Sequence, residues 1–273
     1  MNPILIDLGF IQLRWYSVLI LVAFSLGYYL VLKRAKKCGI STIHINDMCF
    51  YLVVLCILGA RLYYCLFYVD MYGYNIYFEK PLEILKIWEG GLAIHGGIIA
   101  GLLFLFFYSK KKKLNLLQLL DIFAPALALG QAIGRWGNFF NQEAYGKRVT
   151  IEFFQNLHIP KFITDGMYIK DNLYPTGAYR TPTFLFESIG CLIIFIVLMI
   201  IRNRKRIKTG QVVALYLILY GILRFFIEQS RVDNLKLFNF KIAQLVSIIM
   251  LILGIVLLVL PIIRRKYDKQ KMG

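Results

Sequence analysis

The chain has 273 residues, 59% of them hydrophobic, with a mean hydropathy of +0.64 and a formal net charge of +17. A soluble domain carries about 45–50% apolar residues. Here they come in blocks long enough to cross a bilayer, which takes roughly 20 residues of helix, so a soluble protein is excluded and an all-α, polytopic integral membrane protein is expected. Whether the positive surplus points to nucleic acid depends on where the basic residues stand.

Seven candidate spans follow in order, at about 15–32, 48–68, 90–108, 116–137, 183–201, 211–229 and 242–263. The first run has no small-residue cleavage site and reads as a span, not a cleavable signal peptide. Basic runs stand at Lys33 to Lys37, Lys110 to Lys113, Arg202 to Lys208 and Arg264 to Lys271, after the first, third, fifth and seventh spans and after none of the others. The positive-inside rule then predicts an N-terminus outside and a cytoplasmic C-terminus. Most of the charge is thereby a topology signal facing anionic lipid, and no nucleic acid partner is expected.

The outward connections carry two features. Residues 69–89, with Tyr72, Tyr74, Tyr77, Phe78 and Trp88, are expected to lie at the membrane interface. Residues 147–182, punctuated by Pro160, Pro175, Gly177 and Pro182, are expected to form a small external cap. The whole of 1–273 reads as one membrane-embedded domain without internal repeats. Its five cysteines show no C-x-x-C pairing, so neither a disulfide framework nor a metal site is expected, and no cofactor is implied.

Ionisable residues inside membrane spans are costly and mark function by default. Under the topology above, Arg61, His95, Arg135, Glu187, Arg224 and Glu228 all fall in the outer half, joined by Tyr16 and Gln244. Blander readings exist for several. Arg61 reads as snorkelling to the headgroups. Arg224 and Glu228, four apart on one helical face, also fit simple mutual neutralisation. His95 alone would fit a satisfied core histidine, and Gly97 and Gly101 form a G-x-x-x-G that suits helix packing. Asp121, on the inner side, is accounted for by solvation at a helix start. What these readings leave over is convergence: arginines, a histidine and carboxylates from five spans at one depth suit an anionic group, and guanidinium suits phosphate. The anionic ligand native to that depth is a phospholipid headgroup.

The stretch Gly134 to Gly146, G-R-W-G-N-F-F-N-Q-E-A-Y-G, resembles the signature of the bacterial prolipoprotein diacylglyceryl transferases, G-R-x-G-N-F-x-N-x-E-x-x-G, at every fixed position. Companions occur in the family's order: Arg14-Trp15-Tyr16 in the first span, the W-E-G-G-L-A-I-H-G-G run around His95, Pro182-Thr183 to Glu187 opening the fifth span, and Y-G-x-x-R-x-x-x-E from Tyr220 to Glu228. Departures are Phe184 and Phe186, where the family usually has glutamine and tyrosine, and Ala243, where it usually has glycine.

The resemblance implies transfer of the diacylglyceryl group of phosphatidylglycerol to the lipobox cysteine thiol of a prolipoprotein signal peptide. The products are a thioether and glycerol phosphate, and the setting is a bacterial plasma membrane with the active site towards the outer leaflet. It implies Arg135 and Arg224 on the phosphate, and His95 or Tyr16 polarising or deprotonating the thiol. Asn138, Glu143 and Gly146 match positions important to the site, and Glu228 is expected to orient Arg224. A transporter or flippase for an anionic lipid would also use an outward cationic cavity, though alternating access usually places its site near the midplane. A non-catalytic receptor for preproteins is the other rival.

Overall fold

The computed structural model describes residues 1–9, 12–69, 73–171, 173–232, 236–237 and 240–271. Tyr72 of the predicted interfacial segment and the side chains of the last basic run, Arg264 to Lys271, lie outside the described residues. In chain order a hairpin of β1 (Ile4–Asp7) and β2 (Gln12–Arg14) leads into α1 (Trp15–Lys37), α2 (Thr42–Phe67), a short α3 (Ile76–Glu79), two 3₁₀ turns (Pro81–Leu85 and Ile87–Glu89), α4 (Ile94–Lys111) and α5 (Leu116–Asn141). Then come α6 (Ile151–Asn156), α7 (Lys161–Gly166), a hairpin of β3 (Tyr168–Ile169) and β4 (Ala178–Tyr179), α8 (Thr183–Ile201), α9 (Gln211–Ser230), a hairpin of β5 (Lys236–Leu237) and β6 (Phe240–Lys241), and α10 (Ile242–Lys271).

Six of these helices are long and apolar enough to cross a membrane: α1, α2, α5, α8, α9 and α10 over Ile242–Val259. They hold large apolar side chains on their open faces, among them Leu21, Phe50, Leu127, Ile193, Phe226 and Ile252. In water such a surface would aggregate, whereas lipid solvates it. The third predicted span is helical as α4 but does not join the six. It starts at Ile94, later than the predicted 90, includes His95 and ends on Lys110 and Lys111. The fifth begins and ends where the sequence places it, at Thr183 and Ile201.

The chain folds as two compact units, residues 31–119 and residues 1–30 with 120–273. In the first, α2 and α4 pack through glycines. A Cβ on Gly96 would run into the Gly59 carbonyl and Tyr63, one on Gly97 would stand 3.1 Å from the Cys56 carbonyl, and one on Gly101 would stand 3.0 Å from Cys56 Sγ. The G-x-x-x-G is thus a packing surface, with Gly96 and Gly59 as its tightest point. Arg61 does not snorkel. It is 3% exposed and donates to the carbonyls of Glu83 (2.7 Å), Ile84 (2.9 Å) and Gly90 (2.7 Å), with Gly91 at 3.3 Å. Carbonyls in and just after the 3₁₀ turns, left over by irregular backbone, accept these four bonds.

In the second unit α8 packs on α9 and α9 on α10. Ala124, Ala128, Ile194, Leu198, Val212, Val213 and Tyr216 make one core. A second joins Phe139 at the end of α5 and Phe184 at the start of α8 to Phe154, Ile163, Met167 and Ile169 of the predicted cap. Phe184 stacks on Phe139 at 4.6 Å and meets Trp136 edge-on at 5.4 Å, so this departure from the family pattern fixes the α8 start by aromatic packing. Asp121 also has a job beyond solvation. Its carboxylate accepts from the N–H groups of Gly210 (2.6 Å) and Val213 (2.8 Å), capping α9 from α5. Gly210 itself sits at φ 91, a left-handed conformation that favours glycine.

Candidate active site

On α5 and α8 an ion cluster falls between the two cores: Arg135 comes after Ala128 and before Phe139, and Glu187 lies between Phe184 and Ile194. Glu187 is the hub. One carboxylate oxygen stands 2.7 Å from Arg135 Nη2, the other accepts from Arg224 Nη1 at 3.1 Å, and the Tyr220 hydroxyl donates to the first at 3.3 Å. Arg224 also meets Glu228, one turn on along α9, at 2.7 Å. Two cations and two anions therefore stand in one network drawn from three helices.

Exposure separates the two signs. The Glu187 and Glu228 side chains are 2% and 3% exposed, whereas Arg135 and Arg224 keep 21% and 16%. The carboxylates are covered, the arginine side chains are partly exposed, and a guanidinium has five N–H donors, more than the bonds to Glu187, Glu228 and Asn138 use. Arg231, just past α9, adds a third guanidinium, which burial, Arg224 and Arg135 hold below the ordinary arginine pKa. Lys241 donates to the Glu228 carbonyl at 2.8 Å.

The signature stretch supports this cluster with its own hydrogen bonds. Arg135 donates to Asn138 at 3.2 Å, and Asn138 and Asn141 donate to Glu143 at 2.8 and 3.3 Å. The chain turns sharply here, with Gln142 at φ 52 and Ala144 at φ 57, and Glu143 N–H donates back to the Asn138 carbonyl at 3.0 Å. Asn138, Asn141 and Glu143 thus end α5 and bend the chain back towards Asn138. Gly146 lies at the far side of that bend. Its N–H donates to the Thr181 carbonyl at 3.0 Å, next to the bond from Lys147 N–H to the Ser230 carbonyl.

Of the sequence-predicted residues, Arg135, Asn138, Glu143, Gly146, Arg224 and Glu228 belong to this one unit and are linked as described. Tyr16 belongs to it too: its ring lies against Gly137, where a Cβ would collide with it. His95 belongs to the other unit, in the first turn of α4, with the Tyr63 ring 6.1 Å away. Glu187, one of the converging ionisable residues, has a role in the structure that its sequence position does not assign. Its signal was present, a carboxylate inside an apolar span, but its reach to arginines on two other helices is not a one-dimensional property. Among the described residues no group of three His, Cys, Asp or Glu side chains comes together as a metal site requires.

The cap is held by a second buried arginine. Arg180, 2% exposed, pairs with Asp171 and lies over the rings of Tyr174 (4.6 Å) and Tyr145 (5.3 Å). Burial raises the Asp171 pKa, but the Tyr174 N–H, Arg180 and the Tyr145 hydroxyl outweigh it and hold the carboxyl below its usual range. A depressed folded pKa stabilises at all pH above the unfolded value of about 3.9 and is lost as pH falls through the folded value. Amide protection of residues 147–182 is therefore expected to hold from neutral pH to about 4 and to fall only in stronger acid. Asp171→Asn should loosen it at neutral pH as well. Hydrogen exchange across that range is the measurement, and a loss of protection already near pH 6 would remove Asp171 from this role.

A family model described as prolipoprotein diacylglyceryl transferase matches residues 3–260. The chain is 44% identical over 266 residues to the phosphatidylglycerol–prolipoprotein diacylglyceryl transferase of Clostridium novyi (strain NT), covering 97% of this chain and 98% of that one. It is 41% identical to the protein of the same name from Staphylococcus saprophyticus, covering 98% and 91%. With that of Streptococcus mutans the identity is 42%, covering 95% of each.

Proposed function

We propose the reaction from one premise: the chain belongs to the prolipoprotein diacylglyceryl transferase family. It is a multi-pass membrane transferase that moves the diacylglyceryl group of phosphatidylglycerol to a prolipoprotein. The relatives' names lend no support to a transporter.

In the reaction we envisage, the lipobox cysteine sulfur attacks the glycerol carbon that bears the phosphate ester. A sulfur–carbon bond forms, the carbon–oxygen bond breaks, and the electron pair leaves on the phosphate oxygen as glycerol phosphate. Charge grows on the leaving group, so cations already in place stabilise the transition state more than the ground state. Arg135 and Arg224 fill this role, and what carries the assignment is that both are tied to covered carboxylates while their own side chains stay partly exposed. Asn138 and Glu143 steady Arg135, Glu228 orients Arg224, and Gly146 clamps the bend. His95 and Tyr16 are the candidates to take the thiol proton.

We place residues 1–273 in the bacterial plasma membrane as one catalytic domain of seven spans. The N-terminus is outside, the C-terminus is cytoplasmic and the site faces the outer leaflet. The alternation of basic runs along the sequence supports this topology. Incubating the purified protein with phosphatidylglycerol and a lipobox peptide is expected to add one diacylglyceryl mass to the peptide cysteine and release one glycerol phosphate. Peptide of unchanged mass after prolonged incubation would sink the reading.

A further inference from the structure

We infer that Glu187 is a positioning residue that keeps Arg135 and Arg224 aligned for phosphate and, through its charge, sets how readily the phosphate product leaves; the inference rests on the transferase reading above. Glu187 comes from α8, whereas its two arginines come from α5 and α9. Each carboxylate oxygen holds one guanidinium, at 2.7 and 3.1 Å. Glu228 is different, pairing with Arg224 along a single helix. Two guanidinium groups side by side in a poorly hydrated interior repel strongly. A covered carboxylate between them removes that repulsion, fixes both planes, and leaves their remaining donors for a ligand.

The same carboxylate bears on release. The phosphodiester of the lipid carries one negative charge, and the phosphomonoester that leaves carries up to two at neutral pH. Arginines with no counter-charge would grip the product more tightly than the substrate, and turnover would then be limited by release. With Glu187 and Glu228 matching Arg135 and Arg224 one for one, the extra charge of the product gains less. Glu187 thus trades anion affinity for release while holding the geometry that the transition state needs.

The test is product inhibition by glycerol phosphate, together with single-turnover and steady-state transfer, on the full-length protein in phosphatidylglycerol nanodiscs. Glu187→Gln keeps the shape and removes the charge. It is expected to tighten inhibition by glycerol phosphate roughly tenfold and to slow steady-state turnover more than the first turnover. Glu187→Asp keeps the charge and shortens the reach. It should leave inhibition near wild type while lowering the single-turnover rate, because the arginines lose their alignment. Unchanged or weakened inhibition in Glu187→Gln overturns the inference. So does a parallel loss of first turnover and product binding in Glu187→Asp, which also decides the matter if Glu187→Gln does not fold. Arg135→Ala and Arg224→Ala serve as the separate control. If they leave glycerol phosphate inhibition untouched, the phosphate assignment itself fails; if they weaken it and the Glu187 variants do not behave as described, only the role of Glu187 fails.

Discussion

Alanine at Arg135 is expected to lower the transfer rate by about 10²–10³-fold, the usual consequence of removing one preplaced charge from a developing anion. The loss should fall mainly on kcat, because the interaction strengthens as the leaving group gains charge. Folding should survive, since Glu187 keeps Arg224 at 3.1 Å and the Tyr220 hydroxyl at 3.3 Å when Arg135 is gone. Lysine at 135 should recover only part of the rate: it restores charge but not the planar fork that can hold Glu187, Asn138 and a phosphate oxygen together. The measurement is release of glycerol phosphate from labelled phosphatidylglycerol in the presence of a lipobox peptide. A rate within a few-fold of wild type would take Arg135 off the phosphate. Arg224→Ala is a less clean test, because it would leave Glu228 buried without its cation as well.

A methyl group at Gly146 is expected to damage stability and rate together. A Cβ there would stand 2.7 Å from Thr181 Cβ, 3.0 Å from the Ser230 carbonyl oxygen and 3.0 Å from Thr183 Cγ2. Those neighbours are backbone and β-branched side chains, which cannot swing aside. Thr183 is further held by its hydroxyl, which donates to the Ala144 carbonyl at 2.6 Å. The strain should cost about 1–3 kcal/mol, read as a lower melting temperature of the purified protein. Relief would come from opening the bonds between Gly146 and Thr181 and between Lys147 and Ser230, which carry the end of α9 beside the signature bend. A shift of about 1 Å there would lower the rate by about 10²-fold through misplacement alone. Wild-type melting together with wild-type turnover in Gly146→Ala would show that the clamp is not needed.

Much of this protein is legible along one dimension. Helix α8 runs from Thr183 to Ile201 as its apolar block does, and α9 ends one residue beyond its predicted limit, at Ser230. Length and apolarity, the properties a bilayer selects, are local sums over residues. The limits drift where polar residues continue a helix. Helix α5 carries on to Asn141, four residues past its apolar block, because the signature residues still make helical backbone bonds. The family was likewise legible, from the signature residues Gly134 to Gly146.

The sequence by itself thus determined the helical membrane class, the family, and the signature residues Arg135, Asn138, Glu143 and Gly146. Only the tertiary structure decided what each costly residue is spent on. Arg61 satisfies carbonyls of the 3₁₀ turns, Asp121 caps α9, and Glu187 ties two arginines from other helices. The reason is physical: a charge in an apolar span must find partners. Its span can be read from its neighbours in sequence, but its partners are set by which helices pack together, and that is decided by surfaces distant along the chain.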